Sequence, residues 1–333
     1  FFAGAVHAAL MVALWVPWYL GIIALPSAWP PIVWHSHELL FGYVPAIVAG
    51  FLLTAVPNWT GRAPVVGWPL AALFSLWLIG RLAIATSALL PMPIVTLASF
   101  AFPLTLIAVL LREIIAGKNW RNLKVVAGVS VLTLGQLVFQ IEAARQGASL
   151  YGHRLAIAAT LMLIMIVGGR IVPSFTINWL KMNNPGPLPA PFGRFDRLVM
   201  GVSGIALLGW ITAPSLSGLA PLLALMLGLA GLLQCARQAR WQPHRTLREP
   251  LVTVLHVAHG FVPLGFLLAA GAAWTGETTQ GTAALHAWTA GAVGLMTLAV
   301  MTRATRGHTG RALTAPLGTM MIYTAIVGAT LAR

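Results

Sequence analysis

The chain has 333 residues, of which 59% are hydrophobic and only 8% are charged. A soluble domain carries about 25% charged residues, so a soluble globular protein is excluded and an integral membrane protein is implied. The net charge of +14 would suit nucleic acid, but the basic residues fall between apolar runs, where membrane topology explains them and no nucleic-acid partner is implied.

The runs are long and nearly uncharged, which predicts an all-α, polytopic bundle of transmembrane helices rather than the alternating segments of a β-barrel. Eleven spans are predicted, near residues 2–25, 36–57, 67–88, 91–112, 124–143, 151–170, 197–215, 219–237, 251–274, 283–302 and 315–332. The first reads as a full span and not as a cleavable signal peptide. The sequence opens on Phe1, so residues before it are expected, and an odd span count suggests a twelfth span after the last. The single cysteine, Cys235, excludes an internal disulfide. A single transmembrane domain is expected over 1–333: spans one to six over about 1–170, a cytoplasmic connection over about 171–196 rich in Pro and Gly, and spans seven to eleven over about 197–333.

The connections alternate in charge. Arg62; Arg112, Lys118, Arg121 and Lys124; Arg170, Lys181, Arg194 and Arg197; Arg237, Arg240, Arg245 and Arg248; and Arg303, Arg306 and Arg311 all fall on one side if the spans are counted correctly. The other side holds Arg145 and Arg154 beside Glu38, Glu142 and Glu277. The positive-inside rule places the basic side in the cytoplasm. The His35–His37 end of the second span then faces the outside.

In chain order, the second span opens on His35, His37 and Glu38. Ionisable groups at membrane depth are costly and usually functional. On a regular helix His35 and His37 point about 200° apart, so both reach one metal only if His35 precedes the helix. The competing reading is a wet interfacial belt with Trp29 and Trp34. Arg81, deeper in the third span, asks for a partner that the sequence does not name. Gly168, Gly169 and Arg170 end the sixth span. In the ninth span His256 and His259 are three residues apart and share a face, as metal or haem ligands or as a hydrogen-bonded polar patch. His286 lies one turn into the tenth span, at the depth of His37. Arg303 and Arg306 end that span on one face, suited to carboxylates such as haem propionates or to lipid headgroups. Imidazole suits copper, zinc and haem iron, and without a C-x-x-C-H motif any haem is non-covalent. No phosphate-cradling loop, G-x-S-x-G or H-E-x-x-H is present, so redox or ligand chemistry is favoured over hydrolysis.

Three blocks resemble the NnrS family of bacterial haem–copper membrane proteins: WHSHELLFGYVPAIVAGFLLTAVPNWTG at 34–61, GGRIVPSFTINWL at 168–180 and HAWTAGAVGLMTLAVMTRATRGHTGR at 286–311. The first is the most specific, and the likeness in length and hydrophobicity covers nearly the whole chain. The resemblance implies twelve spans, haem b, copper and a role in the response to nitric oxide. It bears on His35, His37, Glu38, Arg170, His286, Arg303, His308 and Arg311, while His256 lies in a span similar to the family's ninth.

The expected function is consumption or reduction of nitric oxide at a haem with a second metal, copper or iron. The expected metal ligands are His35, His37, His286, His256 and His259. His256 leads as the haem's proximal ligand and His286 follows. Arg170, Arg303 and Arg306 are expected on the haem carboxylates, and Glu38 as a metal ligand or proton relay. The electron donor is expected to be a quinol or a redox protein. The strain in this scheme is that His256 and His286 differ by roughly 15–18 Å along the bilayer normal. The alternatives are a non-catalytic NO or haem–copper binding or sensing protein, and a metal or metabolite transporter.

Overall fold

The computed structural model describes residues 1–215 and 217–333. Among the described residues, ten helices are long and apolar enough to cross a membrane. They are α1 (Phe2–Tyr19), α2 (Pro31–Thr60), α3 (Trp68–Ala85), α4 (Met92–Ala116), α5 (Trp120–Gln146), α6 (Tyr151–Asn183), α7 (Arg194–Ser215), α8 (Ala220–Ala239), α9 (Pro250–Thr275) and α10 (Thr278–His308). An eleventh, α11 (Leu317–Leu331), has 15 residues, short of the ~20 that cross the hydrocarbon core upright. Eleven helices therefore stand where eleven apolar runs were predicted, ten of them long. Among the described residues there is no strand, as lipid requires: a helix satisfies its backbone polar groups internally.

The chain divides into two compact units, Phe1–Thr160 and Leu161–Arg333, with the boundary inside α6. Large apolar side chains such as Leu97 and Leu134 in the first unit and Leu208 and Leu225 in the second are exposed. Lipid is as apolar as Leu, so the helices associate by close packing of small residues and by polar contacts instead. Gly135 lies against the backbone of Ala156, and Gly152 lies so close to the backbone of Phe139 that no Cβ fits there. Those two glycines seat α6 on α5. The carboxylate of Glu142 on α5 then accepts from the backbone N–H groups of Leu150, Tyr151 and Gly152 and from the Ser149 hydroxyl. An anion at the start of a helix satisfies donors that have no partner within the helix.

Pro at the first turn of α2 and of α9 starts each helix without losing a hydrogen bond. Left-handed glycines end both, Gly61 at φ 70° and Gly276 at φ 76°. Connections that the sequence places on one side are tied together. In the first unit Arg62 pairs with Glu113 at 2.5 Å, and Asn119 donates to the carbonyl of Trp59. At the other end Ala28 N donates to Ser87 Oγ at 2.9 Å. In the second unit Ala190 N donates to Arg240 O at 3.0 Å and Arg245 donates to Asn184 O at 2.7 Å.

One connection differs from its sequence expectation. The stretch 171–196 was expected to be loop, yet α6 runs on to Asn183 and the connection is only 184–193. Gly168, Gly169 and Pro173 read as helix breakers. The helix absorbs them by widening to π geometry over Ile164–Gly168. The guanidinium of Arg237 packs into the space left by the absent Gly169 side chain and donates to the carbonyl of Met165 at 3.4 Å.

Candidate functional site

Among the described residues, three helices carry a π segment: Glu38–Tyr43 in α2, Ile164–Gly168 in α6 and Ala287–Leu295 in α10. Such segments widen the backbone and recur at functional sites. Each lies beside a residue singled out above: Glu38 opens the first, Gly169 and Arg170 follow the second, and His286 precedes the third. A widened turn shifts the hydrogen-bond ladder, and side chains take up carbonyls there. Trp77 Nε1 donates to Gly42 O at 2.9 Å, as Arg237 does to Met165 O.

In the first unit the polar residues gather on Glu38, which is 1% exposed. Arg81 Nη1 donates to Glu38 Oε1 at 2.6 Å, His37 Nδ1 lies 3.1 Å from the same oxygen, and His7 Nε2 lies 3.2 Å from Oε2. This supplies the partner that Arg81 needs. Gly42 makes the cluster possible, because a Cβ there would stand 2.8 Å from His7 Nε2 and 3.1 Å from Glu38 Oε2. His37 is engaged at both nitrogens, since Gln140 Nε2 donates to its Nε2 at 3.3 Å and also to Ser99 Oγ at 2.9 Å. The Ser99 hydroxyl gives its hydrogen to Thr96 O, so its oxygen accepts and the amide nitrogen must face it. His37 Nε2 therefore accepts, and Nδ1–H donates to Glu38.

His35 does not join this cluster. The α2 helix begins at Pro31, so His35 is within it and points away from His37. Its ring stacks on Trp15 at 3.9 Å between centroids, while the His37 ring lies among Trp29, Phe41 and Phe139. The condition for a joint His35–His37 site, an irregular approach before the helix, is not met.

The second unit is arranged differently around α9. His259 is 0% exposed. Its Nδ1 lies 3.1 Å from Gln238 Oε1 on α8, and Gln238 Nε2 donates to His256 O at 2.6 Å. His259 Nε2 is buried with no hydrogen-bond partner among the described residues. Trp241 meets its ring edge-on at 4.7 Å. His256 Nε2 lies 2.8 Å from Thr176 Oγ1, whose hydroxyl donates to Val172 O. Thr176 oxygen thus accepts from His256 Nε2–H, and Nδ1 of His256 is the buried nitrogen with no partner among the described residues. Gly168 faces His259, and a Cβ there would stand 3.8 Å from its Cδ2 and 3.7 Å from Met296 Cε.

His286 stands apart from this pair. Its Nδ1–H donates to Thr282 O at 2.9 Å. Trp288, two residues on, donates to Val262 O at 3.1 Å, which sets the register of α10 on α9. At the rise of a helix, His286 lies about 10 Å along the axis from His259. Among the described residues, no group of three or more His, Cys, Asp or Glu could hold a metal ion. Arg303 lies over the Phe175 ring at 4.1 Å, one residue from Thr176. Arg306 donates to Ala312 O at 2.8 Å and so fastens the α10–α11 connection. Arg170 follows the π segment of α6, half-buried.

Sequence reasoning missed Gln140, Gln238, Thr176 and the part played by His7. A signal existed. Gln136 and Gln140, and again Gln234 and Gln238, are polar pairs at helical spacing inside apolar spans, where side-chain amides seek partners.

These helices and their buried histidines define a multi-pass membrane protein with imidazoles packed among its apolar helices. Comparison with known families makes this specific: a family model described as NnrS protein matches residues 1–333, and the chain belongs to that family, one of haem–copper membrane proteins associated with the response to nitric oxide. No curated protein and no solved structure matches the chain.

Proposed function

We propose that this chain holds haem b against α9 through Nε2 of His259 and consumes nitric oxide there, in a bacterial inner membrane with its basic connections in the cytoplasm. The observation that carries the reading is the unpartnered Nε2 of a buried, neutral imidazole whose other nitrogen is engaged by Gln238. Leaving such an atom unpaired in an apolar interior costs roughly 1–3 kcal/mol, and a metal ligand bond removes that cost. The donor chemistry fits haem iron, and Gly168 presents only a hydrogen to the same ring edge, where a methyl would reach ordinary contact at 3.8 Å from Cδ2.

His259 replaces His256 as the leading haem ligand for a steric reason. The open nitrogen of His256 is Nδ1, bonded to Cγ on the backbone side of the ring, where a macrocycle would meet the helix. Nδ1 suits a compact ion, so His256 is the residue we assign to copper, or to a second iron. Arg303 and Arg170 carry the positive charge for the haem carboxylates. His35, His37 and His286 receive no ligand role in this arrangement.

When bound, the haem supplies an iron that takes up NO and exchanges electrons with it. The chain's own groups do the rest. Gln238 holds the His259 ring, and Trp241 and the α8–α9 contact keep water from it. Reduction of two NO to nitrous oxide and water takes two electrons and two protons. A quinol or a redox protein is the electron source by class. Glu38, between His7 and His37, is the carboxylate we assign to proton handling. A second reading, NO binding or sensing without turnover, is favoured by the lack of a three-ligand cluster among the described residues.

The test is an anaerobic visible spectrum of the purified, reduced protein during NO titration, with free NO followed by electrode. Loss of NO over many equivalents with donor present supports consumption. Uptake of one equivalent and no more moves the function to sensing. His259→Ala is expected to remove the haem spectrum, and a haem retained with the parent spectrum in that variant would sink the ligand assignment.

A further inference from the structure

We infer that Gln238 is a positioning residue that fixes the proton on Nδ1 of His259 and so sets how strongly Nε2 donates to whatever metal it holds. This rests on the reading of His259 as a ligand.

The inference comes from the two hydrogen bonds of one amide. Gln238 Nε2 donates to the carbonyl of His256, an acceptor with no hydrogen to give. That contact decides which way the amide faces, so the atom 3.1 Å from His259 Nδ1 is the oxygen Oε1. An amide oxygen only accepts, so Nδ1 carries the hydrogen and the ring's lone pair is on Nε2. Both ends of the clamp are set by α9, because His256 and His259 are one turn apart on the same helix. Gly260 lies beside the amide, and a Cβ there would stand in ordinary contact at 3.6 Å from Nε2. The neighbouring cation donates elsewhere: Arg237 is directed to Asp196 at 3.1 Å and to Met165 O.

A hydrogen bond accepted from the far nitrogen of a ligating imidazole orients the ring and raises its basicity. The stronger the acceptor, the more anionic the imidazole and the stronger its bond to iron. A carboxylate at position 238 is a stronger acceptor than the amide, and an aliphatic side chain is none. The two changes therefore act in opposite directions on the metal, whereas loss of mere packing would push both the same way.

The experiment uses full-length protein in detergent, loaded with haem and reduced. The readouts are the iron–histidine stretching frequency by resonance Raman and the haem midpoint potential. Gln238→Glu is expected to raise the frequency and lower the potential. Gln238→Leu is expected to lower the frequency, raise the potential and weaken haem retention about 10–100-fold. Shifts of both variants in one direction, or no shift in either, overturn the inference. If Gln238→Leu fails to fold, Gln238→Glu decides alone, and an unmoved frequency in it counts against us. His259→Ala separates the two levels. Haem kept with the parent frequency in His259→Ala sinks the ligand reading and this inference together. Haem lost in His259→Ala, with both Gln238 variants unmoved, sinks the inference alone.

Discussion

Both units contain the same three polar parts, a serine, a pair of glutamines one turn apart and a histidine, and they use them to opposite ends. In the first unit Gln140 is turned by Ser99 so that its nitrogen faces His37, and the ring is left with Nδ1–H for Glu38. Both nitrogens are engaged within the protein. In the second unit Gln234 takes the serine, Ser203, at 2.9 Å. Gln238 is then free to turn its oxygen to His259 and leave Nε2 open. The difference teaches that a buried histidine's use is decided by the amide beside it. A histidine given a donor and an acceptor is structural, and one given only an acceptor keeps a lone pair for a ligand.

The comparison can be broken most forcefully at the first unit's ion pair. Arg81→Leu removes the guanidinium and leaves the Glu38 carboxylate with only the His7 and His37 rings for partners. Removing one partner of a buried pair costs about 3–5 kcal/mol, and the thermal midpoint in detergent, followed by circular dichroism, is expected to fall accordingly. Adding Glu38→Gln to that variant should restore most of the loss. A double variant no better than the single would show that the cluster is not held by charge.

Two glycines sharpen the contrast at a smaller scale. Gly42→Ala sets a methyl 2.8–3.1 Å from His7, Arg81 and Glu38, and overpacking of that kind costs about 1–3 kcal/mol. Gly168→Ala meets its neighbours at 3.7–3.8 Å, ordinary contact, so the same unfolding assay should barely move while haem retention falls. Equal destabilisation by the two would erase the distinction between a closed cluster and an open one. A modest effect belongs to Trp77→Phe, which loses the bond to Gly42 O. A loss of about 1 kcal/mol is expected, read as a lower midpoint without loss of haem.

Much of the fold was legible in the residues. Long uncharged runs mark helices in lipid, and eleven of them stand where the runs are. The charge alternation sorted the connections correctly enough that Arg62 and Glu113, and Arg240 and Ala190, meet at shared ends. The length of α6 was not legible, because Gly169 and Pro173 break a helix that has no neighbour, and Arg237 is the neighbour. At the site, Glu38, His37, His256 and His259 could be named because ionisable groups in apolar spans are conspicuous. Which nitrogen each ring leaves open could not be read. That depends on Gln140, Gln238 and Thr176, uncharged residues from helices distant in sequence. His35 and His37 looked like partners through proximity in the chain, and helical geometry separates them.

The three π segments have a consequence for how this chain tolerates change. Each is a turn wound with one residue more than its neighbours need. Removing that residue would let the helix relax to ordinary winding, and the turn would lose the widening that offers its carbonyls to side chains. A deletion within Glu38–Tyr43 would tighten α2 and withdraw the Gly42 carbonyl from Trp77. The same deletion within Ile164–Gly168 would tighten α6 and withdraw the Met165 carbonyl from Arg237. In these helices a shorter sequence would make a more regular rod and a poorer instrument, so residue count here is part of the chemistry.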